Sequence, residues 1–356
     1  MSASPLRIGL MGAGLIGREH AALVRQHAGA LLVAMADPSP EAASFAASLG
    51  VPIYADYTQM LDSEKPDAVI VALPNALHVP AGLACVQRGL PMLMEKPIAE
   101  RVSAALPLVL AAERAGVPML VGHHRRHSPD IVEARRSIRA GELGDVTAIN
   151  GLWLVKKPDD YFDAAWRREP GGGPMLINLI HDIDCLRFMC GDIDSVLAIA
   201  SSRARGFEVE DTAAVILQFA SGALGTFLLS DVVPSPYTWD VTSGQALYFH
   251  HEQENCFFIG GRQASLAVPT MHRWSYDNKP DGREGDWRDR LVRRGQQPPR
   301  SSAYVNQLDH FIAVARREAE PLVSGRDALH TLATTLAVDR AAREGRAVAV
   351  AEMLAG

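Results

Sequence analysis

The sequence predicts an α/β fold, a doubly wound parallel sheet, followed by an α+β region with a large, mainly antiparallel sheet. Three observations predict it. Over the first third of the 356 residues, short apolar runs alternate with longer segments of helical period. A glycine-rich turn, Gly12-Ala13-Gly14-Leu15-Ile16-Gly17, joins the first run to the first helical segment. Past His123 the strand-like runs lengthen and follow one another with little helix between them.

Leu6–Met11 is the first expected strand and Leu15–Gln26 the first helix. Leu31–Ala36 is a second strand, ending at Asp37-Pro38, and Glu41–Leu49 a short helix stopped by Gly50. Strands at Ala68–Leu73, Met92–Met94 and Met119–Gly122 alternate with helices at Leu77–Arg88 and Ala99–Ala115, each closed by a glycine. Strands this apolar have both faces covered, which calls for parallel pairing and helical crossovers. They define a first domain, residues 1–122. A second domain, residues 123–356, opens with a helix over 129–141 and continues with strands near 146–155, 196–202, 213–219, 222–230 and 264–268. Ala213–Phe219 and Ala223–Leu229, joined by Ala-Ser-Gly, read as an antiparallel hairpin. Two helices, about Val305–Ala319 and Ala328–Arg343, close the chain and are able to pack back on the first domain. Residues 278–302 are rich in Gly, Pro, Arg and Asp, lack a period, and read as a surface loop.

A net charge of −6 supplies no basic field, so nucleic acid is not an expected partner. No apolar run reaches about 18 residues, so no membrane span is expected. The N-terminal residues lack the layout of a signal peptide. Cys85, Cys185, Cys190 and Cys256 form no CxxC pair and read as free thiols of a cytoplasmic protein. His123, His124 and His127 lack the thiolates or HExxH partners of a metal site, so no metal is expected.

The glycine turn carries the chemistry. Gly12 permits the tight turn, Gly14 lets a pyrophosphate approach the backbone, and Gly17 lets helix pack on strand. Leu15 and Ile16 belong to the same cofactor-facing turn, whose helix offers its first N–H groups to phosphate. Asp37 closes the second strand, twenty residues past Gly17, where a carboxylate accepts from ribose hydroxyls and repels a 2′-phosphate. Pro38 brings no cation. The expected cofactor is NAD rather than NADP, in a Rossmann domain.

Gly12 to His20, Pro74-Asn75 with His78, and Glu95-Lys96-Pro97 resemble the glucose–fructose oxidoreductase / inositol dehydrogenase / rhizopine-catabolism (Gfo/Idh/MocA) family. So do Gly171-Gly172-Gly173-Pro174, His181-Asp182-Ile183-Asp184, Glu210-Asp211-Thr212 and the stretch from Leu322 to Asp327. The resemblance implies NAD(P)-dependent oxidation or reduction of sugars, cyclic polyols or related small molecules. It implies homodimers or homotetramers formed through the C-terminal sheet. It also implies cofactor contacts from Pro74, Asn75, His78, Glu95 and Lys96, with a helix-start role the alternative for His78.

Alcohol oxidation needs a hydride acceptor and a proton acceptor. Lys96, just past a strand end, is the candidate for hydrogen-bonding the reacting oxygen. His181, in a helical run over Leu176–Met189, is the candidate for exchanging the proton. Helical winding sets Asn178, His181, Asp182 and Cys185 opposite Leu179, Ile180, Ile183 and Leu186, as a polar stripe. Asp184 falls nearer the apolar side. Family members commonly carry Asp four residues before this histidine, and this chain has Ile177, so Asn178 and Asp182 are the expected supports. Arg125, Trp166, Arg167 and Asn178 are candidate substrate contacts, with interdomain packing the alternative for Trp166 and Arg167. Two alternatives stand beside a sugar or polyol dehydrogenase: a dehydrogenase of another cyclic diol or carboxylated ring, and a non-catalytic NAD-binding sensor.

Overall fold

Five of the six residues of β1 (Leu6–Met11) are buried, as the centre of a sheet covered on both faces requires. The computed structural model describes residues 4–246, 249–277 and 283–355. From β1 the chain runs through α1 (Leu15–Gln26), β2 (Ala30–Ala36), α2 (Pro40–Leu49), β3 (Ile53–Tyr54), α3 (Tyr57–Glu64), β4 (Ala68–Val71), α4 (Asn75–Gln87), β5 (Met92–Met94), α5 (Val102–Ala115) and β6 (Met119–Val121). The six strands are ordered β3-β2-β1-β4-β5-β6 and pair in parallel. The order reverses between β1 and β4, which opens a crevice at their carboxyl ends.

The sequence reading gave five strands and missed β3 and α3. Two residues are too short to carry a period, and β3 exists because it pairs with β2. Helix α3 is started by Asp56, whose side chain accepts the N–H groups of Thr58 and Gln59 at 2.6 and 3.1 Å.

The next stretch holds α6 (Pro129–Arg139), β7 (Val146–Leu154), α7 (Pro174–Ile177), α8 (Leu179–Cys190), β8 (Ile193–Ser201), β9 (Thr212–Phe219) and β10 (Leu224–Ser230). It continues through α9 (Trp239–Thr242), β11 (Phe257–Gly261), β12 (Ala264–Val268), β13 (His272–Tyr276) and β14 (Leu291–Arg294). After α10 (Ala303–Ala315) and α11 (Gly325–Glu344), β15 (Val348–Ala349) and α12 (Val350–Leu354) end the chain. Nine strands form the second sheet, ordered β14-β13-β12-β11-β7-β10-β9-β8-β15, antiparallel except for β7 with β10. Residues alternate along β9: Ala213, Val215, Leu217 and Phe219 are buried, while Ala214, Ile216 and Gln218 are exposed. One face of the sheet is therefore core and the other is not.

Two compact units result. The first holds the chain up to His124 together with Tyr304–Leu332, and the second holds Arg125–Ala303 together with Ala333–Ala355. Among the described residues no helix is long and apolar enough to cross a membrane.

Two expectations are corrected here. Residues 278–302 are not loop throughout, because Leu291–Arg294 pairs with β13 as an edge strand; residues 278–282 lie outside the described residues. The helix expected over Leu176–Met189 is interrupted at Asn178, whose side chain is held by Lys157 and whose carbonyl accepts the N–H of His181 at 3.1 Å. Strands β11 and β13 were also missed. Strand β13, His272-Arg273-Trp274-Ser275-Tyr276, next to the edge strand, has no buried residue to give an apolar pattern.

Candidate functional site

In the first unit the turn between β1 and α1 is shaped by close backbone approach. Gly12 has φ +91°, and a Cβ there would lie 2.2 Å from the carbonyl oxygen of Ala72. A Cβ on Gly17 would lie 2.1 Å from the oxygen of Gly12, so the helix can sit on the turn only with glycine at this position. A Cβ on Gly14 would meet nothing within 4 Å, and no side chain caps α1. The helix start therefore faces open space with N–H groups to offer an anion. Leu15 beside it is 92% exposed and Ile16 is half-buried.

Asp37, one residue past β2, accepts the N–H of Ala13 at 2.8 Å on one oxygen. Its other oxygen accepts the N–H and hydroxyl of Ser39 at 2.9 and 2.7 Å. Partial burial pushes this carboxyl up, but the bonds from Ser39 and Ala13 and the Arg18 charge outweigh it and hold it below the ordinary value. A carboxylate has about four acceptor positions, so the ionised group keeps capacity for ribose hydroxyls. Turn, open helix end and carboxylate fit a dinucleotide.

The segment after β5 is fastened from both sides. Glu95 is buried; one oxygen meets His20 Nε2 at 2.8 Å and the other accepts the N–H of Lys96 at 3.1 Å. Burial pushes the Glu95 carboxyl up, and the hydrogen bond and charge of His20, with Lys96 beside it, bring it below its ordinary value. His78 is buried too, with Nδ1 2.7 Å from the carbonyl oxygen of Pro97 and Nε2 2.8 Å from that of Leu73. Both are expected cofactor contacts, with a helix-start role the alternative for His78, which lies in the first turn of α4. Their hydrogen bonds tie the loops after β4 and β5 to each other and to α1. Pro74 and Asn75 are exposed at the start of α4, and Lys96 is half-buried. His20 was not singled out, although it shares the buried face of α1 with Gly17, Ala21 and Val24. Its ring lies edge-on to Tyr304, which stacks on His124 with centroids 4.1 Å apart.

In the second unit His181 is half-buried in α8. The polar stripe expected around it does not face outward. Asp182 and Cys185 are fully buried, because α8 has neighbours on nearly every side. Asp182 accepts from Arg125 at 2.9 Å, and Arg125 also reaches Asp240 at 3.1 Å. Burial pushes the Asp182 carboxyl well above the ordinary range while Arg125 pulls it down. Arg125, expected as a substrate contact, is therefore a buried counter-ion. Asp184 forms a two-pronged pair with Arg126 at 2.7 and 2.6 Å, the structural role its apolar setting suggested.

Trp166 is exposed, and Arg167 is half-buried, donating to the Tyr161 carbonyl at 2.6 Å and stacking over the Tyr161 ring at 3.9 Å. Asn178 accepts from Lys157 Nζ at 2.9 Å. Sequence reading missed Lys157. The one signal for it was an adjacent pair of lysines after a strand, which resembles ordinary surface charge.

Comparison with known proteins agrees with this geometry. Residues 6–123 match the family model GFO_IDH_MocA, described as an oxidoreductase family with an NAD-binding Rossmann fold. Residues 131–267 match the GFO/IDH/MocA C-terminal domain. Inositol 2-dehydrogenase of Rhizobium meliloti (strain 1021) is 29% identical over 360 residues, covering 97% of this chain and 99% of that protein. Inositol 2-dehydrogenase 4 of Saccharopolyspora erythraea is 32% identical over 235 residues, 64% of this chain and 67% of the relative. Among solved structures, the WlbA dehydrogenase of Bordetella pertussis, in complex with NADH and UDP-GlcNAcA, superimposes with a TM-score of 0.76 at 25% identity, covering 97% of this chain and 98% of the other.

Proposed function

We propose, for a chain that belongs to the Gfo/Idh/MocA oxidoreductase family and carries its NAD-binding domain, that the enzyme interconverts a secondary alcohol and a ketone on a sugar or cyclic polyol. The observation that carries this reading is the setting of Lys96. It stands at the carboxyl end of β5, the edge of a parallel sheet where ligands bind. Its loop is fixed through Glu95 to His20 and through the Pro97 carbonyl to His78, so the ammonium is presented from a rigid base. In this reading Lys96 hydrogen-bonds the reacting oxygen and stabilises negative charge on it. His181 takes the hydroxyl proton during oxidation and returns it during reduction. Asn178, one helical turn before His181, supports that exchange. NAD, bound at the glycine turn, supplies the acceptor for the hydride that leaves the carbinol carbon. Asp37 selects NAD over NADP. The inositol 2-dehydrogenase relatives support a cyclic polyol as substrate.

A second reading, a carboxylated ring, is favoured by Arg167, whose Nε is buried without a hydrogen-bond partner. The test is reduction of NAD⁺ and NADP⁺, followed by absorbance, with inositols, aldoses, sugar acids and cyclic dihydrodiols. Turnover with NAD⁺ and an inositol or aldose is the expected result. Turnover with sugar acids alone would select the second reading, and NADH binding without turnover on any of them would point to a sensor.

We also assign the exposed face of the nine-stranded sheet to a second copy of the chain. Ile199, Ile216, Leu228, Phe258 and Trp274 are exposed there. Strand register puts them on one face, because Ile199 and Leu228 both pair with Ala214, Ile216 pairs with Thr226, Thr226 with Asn150, Asn150 with Phe258, and Ser265 with Trp274. An apolar face of this extent favours association. Ile199→Lys with Phe258→Lys should yield monomers in sedimentation, and an unchanged oligomer would remove this face from the assembly.

A further inference from the structure

Lys157 is only 8% exposed, a burial that lysine tolerates when its charge is met. It lies three residues past β7, in backbone register with the residues after β10, its N–H donating to the Asp231 carbonyl at 2.9 Å. Nζ donates to Asn178 Oδ1 at 2.9 Å, at the break between α7 and α8. One carboxylate oxygen of Asp231 lies 3.6 Å away, and the other accepts from Arg205 Nε at 3.1 Å. The rings of Tyr161 and Trp153 face the ammonium, with centroids at 4.6 and 5.4 Å. Glu210 adds a further negative charge to these surroundings and Arg205 a positive one.

An ammonium has donors and no acceptor. The edge of the Asn178 amide that faces Lys157 must therefore be its oxygen, and both Nδ2 hydrogens point elsewhere. The backbone carbonyl of the same residue accepts the N–H of His181 at 3.1 Å. The amide thus stands three residues ahead of the imidazole, a spacing that makes side chains neighbours on one helix face. Ile177 beside it brings no polar group.

We propose that Lys157 is a positioning residue for the proton-exchanging end of α8: it locks the Asn178 amide with its N–H donors presented beside His181. The inference rests on the role proposed above for His181. An amide locked this way donates to the reacting oxygen and cannot take up a proton, which leaves proton uptake to His181 alone. The lock has a pH range. Burial pulls the Lys157 ammonium down to about 8, with the charge of Asp231 resisting. Below that pH the group is a donor only and the amide is held. Above it the neutral amine accepts as well as donates, the amide is released, and kcat/KM falls.

The first test needs no turnover, so a wrong substrate class cannot decide it. The full chain, loaded with NAD and labelled with ¹⁵N-lysine, is titrated by NMR, and the Lys157 signal is assigned by its loss in Lys157→Arg. The expected midpoint is about 8, and Asn178→Ala should move it lower by removing a hydrogen-bond acceptor that favours the charged form. A midpoint that does not respond to Asn178→Ala overturns the proposal. In turnover, Lys157→Met and Asn178→Ala should each lower kcat/KM by about tenfold to a hundredfold, and the double variant should lose no more than either single one. Independent, multiplying losses would overturn the route through Asn178.

Discussion

In the first unit the cofactor turn is made by backbone: Gly12, Gly14 and Gly17 set distances of approach, and the helix end supplies donors. In the second unit the surroundings of His181 are made by charged side chains taken out of water, Asp182 with Arg125, Asp184 with Arg126, and Lys157 with Asp231. The two constructions fail differently. A backbone site fails when a side chain is added, because nothing can move aside. A buried ionic site fails when one side chain is removed, because its partner is left charged in a medium that does not solvate it.

The largest effect should come from breaking a buried pair. Asp184→Ala takes the two-pronged carboxylate partner from Arg126, itself 3% exposed, and should cost about 3–5 kcal/mol in denaturant unfolding. A cost below about 1 kcal/mol would place this pair with surface ion pairs and undo the contrast. Next comes Gly12→Ala, which combines a left-handed φ with an overlap on Ala72. NADH affinity should fall by about tenfold or more, since such strain alone is worth about 1–3 kcal/mol. Unaltered NADH binding would show that the turn yields. Asp37→Ala is the mildest of the three. Discrimination against NADP⁺, read as a ratio of kcat/KM values, should relax by about tenfold, the worth of one hydrogen bond to a charged group. An unchanged ratio would take Asp37 out of cofactor selection.

The same contrast explains what was legible in the sequence. The parallel sheet could be read because its strands are apolar on both faces, and the turn because only glycine satisfies its geometry. Asp37 and Lys96 could be placed because strand ends locate them. The environment of α8 could not be read. Helical winding put Asp182 and Cys185 on a polar stripe, yet Arg125, distant in sequence, neutralises Asp182 in the interior. Spacing within one helix carries no information about what another segment brings to it. The partners of His78 and Glu95, Pro97 and His20, were illegible for the same reason, since they come from other loops and helices. Strands β3 and β14 exist by pairing with neighbours, and their own residues carry too little pattern to announce it.

The central claim is that Lys96 serves the chemistry while the glycine turn serves the cofactor. The most direct measurement is NADH affinity and turnover, taken side by side on the parent and Lys96→Met. NADH affinity should match the parent while turnover falls by about 10²–10⁴-fold, the usual worth of a positioned catalytic group. Turnover at the parental rate in Lys96→Met would contradict the claim.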